Sequence, residues 1–133
     1  MKPIFHLMIV GTLSAALSSP ALANPKHDLA RELIDCGNTY NALSLVVTAS
    51  KQAALREVGS NLLLEAMKYL DGDNAFYDRE LGKSAEKVSG DVVGANAEKR
   101  AGMAKACSRF LGEGSIEKIL QEKLSAEKNS TKP

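Results

Sequence analysis

The sequence predicts an all-α fold: a small up-and-down bundle of four to five helices stapled by one disulfide, Cys36 to Cys107. Three observations predict it. No proline interrupts the chain between Pro25 and Pro133, a length over which a sheet protein would ordinarily carry proline-marked turns. Apolar residues recur at steps of three and four rather than two. At 133 residues, 44% apolar and 25% charged, the chain has the balance of one small domain, which excludes a multidomain enzyme.

Met1-Lys2 places one positive charge ahead of a mostly apolar run, Ile4 to Leu17, and Ala21-Leu22-Ala23 has the small-x-small pattern of a cleavage site. Residues 1–23 are therefore read as a signal peptide, with a mature chain starting at Asn24 and a periplasmic or secreted destination. The run falls short of the ~20 residues that span hydrocarbon, and Asn24 offers no thiol to an acyl chain, so no stable membrane anchor is expected after cleavage. Cleavage removes Lys2 alone from the charged set, leaving 16 basic against 16 acidic residues. Such neutrality argues against nucleic acid and anionic membrane, both of which call for a concentrated basic surface. Lys99, Arg100, Lys105 and Arg109 fall at helical spacings, the pattern of a solvated helix face.

Asn24 can cap a first helix, with Pro25 at the first helical position where a missing N–H costs nothing. Leu29, Leu33, Cys36, Tyr40, Leu43 and Val47 form one stripe along it. A second helix, about 51–70, carries Leu55, Val58, Leu62, Ala66 and Tyr69 or Leu70 before Asp71-Gly72-Asp73-Asn74 supplies turn chemistry. A third, about 75–93, runs through Phe76, Tyr77, Leu81, Ala85, Val88 and Val92, weakened at Gly82 and Gly90. The fourth, about 96–111, is alanine-rich, with Ala97, Ala101, Ala104, Cys107 or Ser108, and Leu111 in register, small residues suited to close packing. Gly112-Glu113-Gly114 stops it. Ser115 can then cap a short fifth helix made amphipathic by Ile116, Ile119, Leu120 and Leu124. Residues 24–126 make the helical domain, and 127–133 read as a disordered polar tail.

Short loops make consecutive helices antiparallel neighbours, with the fifth laid across the bundle. The start of the first helix then lies near the end of the fourth, the regions of Cys36 and Cys107. Two cysteines in an exported chain are read as a disulfide. The 72-residue loop they close is worth roughly 4 kcal/mol in the chain-entropy model.

Residues that carry chemistry are sparse. His27 is the one histidine left after cleavage, in the first helical turn and expected in solvent, so any Ser-His-Asp or Cys-His arrangement would depend on it. One His and two bridged Cys do not make a zinc set, and neither the Glu-x-x-His of di-iron bundles nor the Cys-x-x-Cys-His of covalent haem occurs. Asp71, Asp73, Asp78 and Glu80 lack EF-hand spacing and read as a solvated turn. Many carboxylates could be paired for glycoside hydrolysis, but the chain has no Trp and few aromatics to form a cleft. The expectation is no catalytic residue, no metal, no cofactor and no enzyme activity.

Two features could bind a partner. Tyr69, Phe76 and Tyr77 cluster around the second loop, where the default is that the rings cap the core at that end of the bundle and the alternative is that tyrosines serve as interface anchors. Ile116, Ile119, Leu120 and Leu124 make an apolar face that its own bundle, a partner or lipid must cover; docking on the bundle is the default. The glycines before it allow a hinge. The repeated Glu-Lys pairs beginning at Glu117-Lys118 step by five, which keeps no helix face, so they read as solubilising.

The plan of an export segment, a small helical domain and one long-range disulfide resembles that of periplasmic acid-stress chaperones and of helical immunity proteins that neutralise secreted cell-wall amidases. The likeness is architectural, rests on Cys36 and on Ala106-Cys107 before a charged tail, and carries no site residue with it. The expected function is non-enzymatic binding of another protein, chaperone-like or inhibitor-like. The alternative is a carrier with an apolar pocket for a small ligand inside the bundle.

Overall fold

The structure, a computed structural model, describes residues 24–130. The expected signal peptide and the last three residues lie outside them. Five α-helices and one 3-10 turn follow in order: α1 Pro25–Ser44, α2 Ala49–Met67, α3 Asn74–Val93, α4 Ala97–Cys107, the 3-10 turn Ser108–Phe110, and α5 Ser115–Ser130. No strand occurs among the described residues.

Local chemistry sets these limits. The Asn24 side chain accepts hydrogen bonds from the backbone N–H groups of Lys26 and His27 at 3.0 and 3.2 Å, satisfying two of the free donors that open α1. Asp73 caps α3 through Phe76 N–H at 3.0 Å, and Asn96 caps α4 through Lys99 N–H at 2.8 Å. Between α2 and α3 the chain reverses with Asp71 and Gly72 in the left-handed region, φ 49° and 81°. Arg100 in α4 donates to the carbonyls of Val92 and Val93 at 2.8 and 3.2 Å, covering acceptors left open at the end of α3.

The helices alternate in direction as expected, but they gather around α1. His27 meets Phe76 and Arg31 meets Glu80, so α3 runs parallel to α1. Tyr40 donates to the Ala104 carbonyl, Cys36 bridges Cys107 and Glu32 accepts from Arg109, a descending order that makes α4 and its turn antiparallel. The broad interfaces are α1 with α2 and α1 with α3, while α4 and α5 touch α1 more locally. Consecutive helices beyond α1 and α2 are thus not each other's main neighbours. The Cys36 and Cys107 Cα atoms are 5.4 Å apart, within the ordinary disulfide span. Cys36 sits past the midpoint of α1, so the bridge joins the middle of the first helix, not its start, to the end of α4.

Twelve of the 20 residues of α1 are buried. The expected stripe is there from Leu29 to Leu43, and beside it Ala30, Ile34, Gly37 and Ala42 are covered as well. Two buried hydroxyls of α1 are satisfied locally, Thr39 donating to the Asp35 carbonyl at 2.7 Å and Ser44 to that of Asn41 at 2.6 Å, while Asn38 donates across to the Leu81 carbonyl of α3 at 3.4 Å. Val47, expected in the stripe, lies past the helix end in the loop.

Gly37 and Gly59 are where α1 and α2 approach most tightly. A Cβ on Gly37 would lie 2.9 Å from the Gly59 carbonyl oxygen and 2.8 Å from Leu63 Cγ, and one on Gly59 would lie 2.7 Å from the Gly37 carbonyl oxygen. Glycine at both positions lets the two backbones touch directly.

Two other elements differ from expectation. The alanines of α4 pack only in part: Ala104 lies half-buried against the core, but Ala97 and Ala101 are exposed and within the helix only Cys107 is buried, because alanine favours a helix without demanding burial. Helix α5 continues to Ser130, taking in the first four residues of the expected polar tail, carried by good helix formers such as Glu127 and Lys128.

The close crossing is testable. Gly59→Ala is expected to lower stability by about 1–2 kcal/mol, overpacking outweighing the gain in helix propensity. Gly82→Ala in α3, where nothing lies within 4 Å of the added carbon, is expected to gain up to about 1 kcal/mol. Urea denaturation checks both; equal stability of the two variants would contradict the crossing.

Candidate functional site

A groove of about 450 Å³ lies between α2, the turn at 110–114 and the start of α5. Helix α2 supplies Val58, Asn61, Leu62 and Glu65, the turn supplies Phe110, Leu111, Gly112 and Gly114, and α5 supplies Ile116 and Glu117. Leu62, Phe110 and Ile116 are buried beneath it, whereas Leu111 is 46% exposed and Val58 half-buried. The groove therefore has an apolar floor that water reaches.

The sequence makes this shape by stopping a helix abruptly. Phe110 plunges into the core at 2% exposure, and the chain then turns through Gly114 at φ 73° to start α5. Gly112 is constrained by space instead of by backbone angle, since a Cβ there would lie 2.7 Å from Ser115 Oγ. A side chain at Gly112 would press on the first residue of α5 and change the angle at which that helix leaves.

A charge cluster fixes the far side of this turn. Glu32 on α1 accepts from Arg109 Nη2 at 2.9 Å and from Lys123 of α5, so one carboxylate holds both the turn and α5 against α1. The Arg109 guanidinium also lies over the Phe110 ring, 4.2 Å from its centre. Burial by itself would raise the Glu32 carboxyl, but the hydrogen bonds and charges of Lys123 and Arg109 outweigh it and hold the group below its ordinary value of 4.5.

The candidates singled out in the sequence separate in space. On α5, Ile116 is buried and lines the groove, Ile119 and Leu120 pack half-buried on the core, and Leu124 remains 36% exposed. The apolar face of the fifth helix thus lies on its own bundle.

The aromatic cluster divides. Phe76 is buried, its ring beside His27 at 4.4 Å with the Arg31 and Arg79 guanidiniums 4.9 and 5.4 Å from its centre. His27, expected in solvent, is half-buried by that stacking. Tyr77 is half-buried and borders a small recess with Met67 and Leu70.

Tyr69 packs half-buried against the core and lies outside the groove's lining. Its phenol is pushed up, first by burial and then by the carboxylates of Glu117 and Glu65. Lys68 beside it donates to Glu65 at 2.7 Å, and that bond together with the carboxylate charges pushes its ammonium up as well.

The acidic residues of the second loop also disperse. Asp73 caps α3, and Glu80 pairs with Arg31, Arg79 and Lys83. Among the described residues no three His, Cys, Asp or Glu side chains gather as a metal site, and no described helix is long and apolar enough to cross a membrane.

Sequence reasoning missed Leu111, Glu65 and Glu117 as groove residues. It placed Leu111 inside a helical stripe and read Glu117 as solubilising. The available signal was the apolar pair Phe110-Leu111 directly before two closely spaced glycines.

The Glu32 cluster gives α5 an acid dependence. A carboxyl with a lowered folded pKa contributes stability that is present above its unfolded value, near 4.5, and is lost as pH falls through the lower folded value. Glu32→Gln is expected to cost about 1 kcal/mol at pH 7, a modest figure because all three side chains remain partly solvated. In urea denaturation the gap between wild type and variant should close as pH falls below about 4.5; a gap that stays constant to pH 3 would refute the cluster's role. No protein-family model, curated protein or solved structure matches this chain, so the site stands on its own residues.

Proposed function

We propose that this is an exported, non-enzymatic helical protein, periplasmic or secreted, that works by binding another protein through the groove between α2 and α5. The observation that carries the reading is the combination of a solvent-open apolar floor, containing the 46% exposed Leu111, with walls supplied by two different helices, α2 and α5. Exposed apolar surface in a fixed concave setting is what a docking partner covers. The Cys36 to Cys107 bridge fits an oxidising compartment, in keeping with the signal pattern of residues 1–23. The recess opens to solvent instead of lying enclosed between helices, which favours a protein partner over a small apolar ligand carried inside the bundle.

The test is a paired capture from a periplasmic extract with immobilised residues 24–133 of the wild type and of Leu111→Asp. Leu111 is exposed enough for the variant to fold, which a thermal melt verifies. The expected outcome is a protein retained by the wild type and lost by the variant. Equal retention by both would overturn the groove as the binding surface.

A further inference from the structure

The charged residues in the lining of the groove are both carboxylates, and they come from opposite walls: Glu65 from α2 and Glu117 from α5. Glu113, exposed, sits between the two glycines that line the turn. Of the basic residues close by, two are engaged away from the groove and one pairs with a groove carboxylate from outside the lining. Arg109 and Lys123 are drawn away to Glu32, and Lys68 lies outside the lining, held by Glu65.

Both carboxylates act on two neighbouring side chains. The Lys68 ammonium is favoured by Glu65 and also by the charge of Glu117, and the Tyr69 phenolate is disfavoured by both carboxylates after burial. With the chain near neutral as a whole, this is a local acidic rim around an apolar floor and not a general charge excess.

We propose that the groove takes a cationic segment of another protein, seating one bulky apolar side chain on Leu111 and Val58 while Lys or Arg within a helical turn of it meet Glu65 and Glu117. The proposal rests on the reading of the groove as the docking surface and adds the chemistry of its occupant. Lys68 does not prevent it. Its pair with Glu65 is an exposed (i, i+3) contact with the Lys side chain 65% accessible, a kind that contributes little and yields readily to a better-placed cation.

Three synthetic amphipathic helical peptides of about five turns test this. They share one leucine stripe and carry Lys, Gln or Glu at the polar positions. Binding to residues 24–133 is followed by fluorescence anisotropy at low and physiological salt, and located by backbone amide shifts.

The Lys peptide is expected to bind most tightly, to shift amides at 58–65 and 110–117, and to weaken as salt rises. Glu65→Gln with Glu117→Gln should weaken the Lys peptide about 3- to 10-fold while leaving the Gln peptide unchanged. The salt dependence of the wild type reads the same charge without any variant.

Lys and Gln peptides binding the groove equally would overturn the charge inference and leave the docking surface standing. Shifts of the Lys peptide confined to residues outside the groove would overturn the inference too. If, in addition, Leu111→Asp does not alter partner capture, the docking surface itself falls.

Discussion

Direct backbone contact between α1 and α2 at Gly37 and Gly59 is the constraint on which the rest of the structure depends. A Cβ at either position would come within 3 Å of the opposite backbone, so the two helices lie closer here than any residue but glycine allows without a shift. That approach draws α2 onto one side of α1 and leaves the other sides of α1 for α3, α4 and α5. A helix so surrounded has little face left for solvent, which is why α1 buries Ala30, Ile34 and Ala42 together with its leucine stripe. It also explains the polar side chains of α1 that fold back on their own carbonyls: in a central helix an unpaired hydroxyl would cost on the order of 1–3 kcal/mol.

The groove follows from how the later elements attach to this helix. Cys107 ties the end of α4 to α1, and Phe110, three residues on, is drawn into the core. Glu32 then holds Arg109 and Lys123, setting both the turn and α5 beside α1. Helix α2 on its side and α5 on the other cannot close the space between them, because the glycine turn fixes where α5 begins. Apolar floor and acidic rim are the surfaces that this arrangement leaves uncovered.

Much of the fold was legible because its signals are local. The cap at Asn24, the turn at Asp71 and Gly72, and the stripe from Leu29 to Leu43 are read from a few neighbouring residues each. The second buried face of α1 was not, since Ala30, Gly37 and Ala42 weigh little as hydrophobic residues and are buried by their neighbours' proximity instead of their own chemistry. Alanine misled in the opposite direction at Ala97 and Ala101, where helix preference was read as packing. The Glu32 cluster joins residues 77 and 91 positions apart, and no pattern in one sequence marks such a pairing. Leu111 looked like part of a helix for the same reason: only the fold shows that the chain has already left its helix there.

Native-state hydrogen exchange across a urea series tests the central place of α1 most directly. Amides of α1 between Leu33 and Ser44 should exchange only through global unfolding, at the full free energy of the protein. Those of α5, held by one side of its helix and one charge cluster, should exchange through local opening at lower free energy. Exchange of the α1 core through an opening that leaves α2 or α3 protected would contradict the account, because those helices would then hold together without the one they are built around.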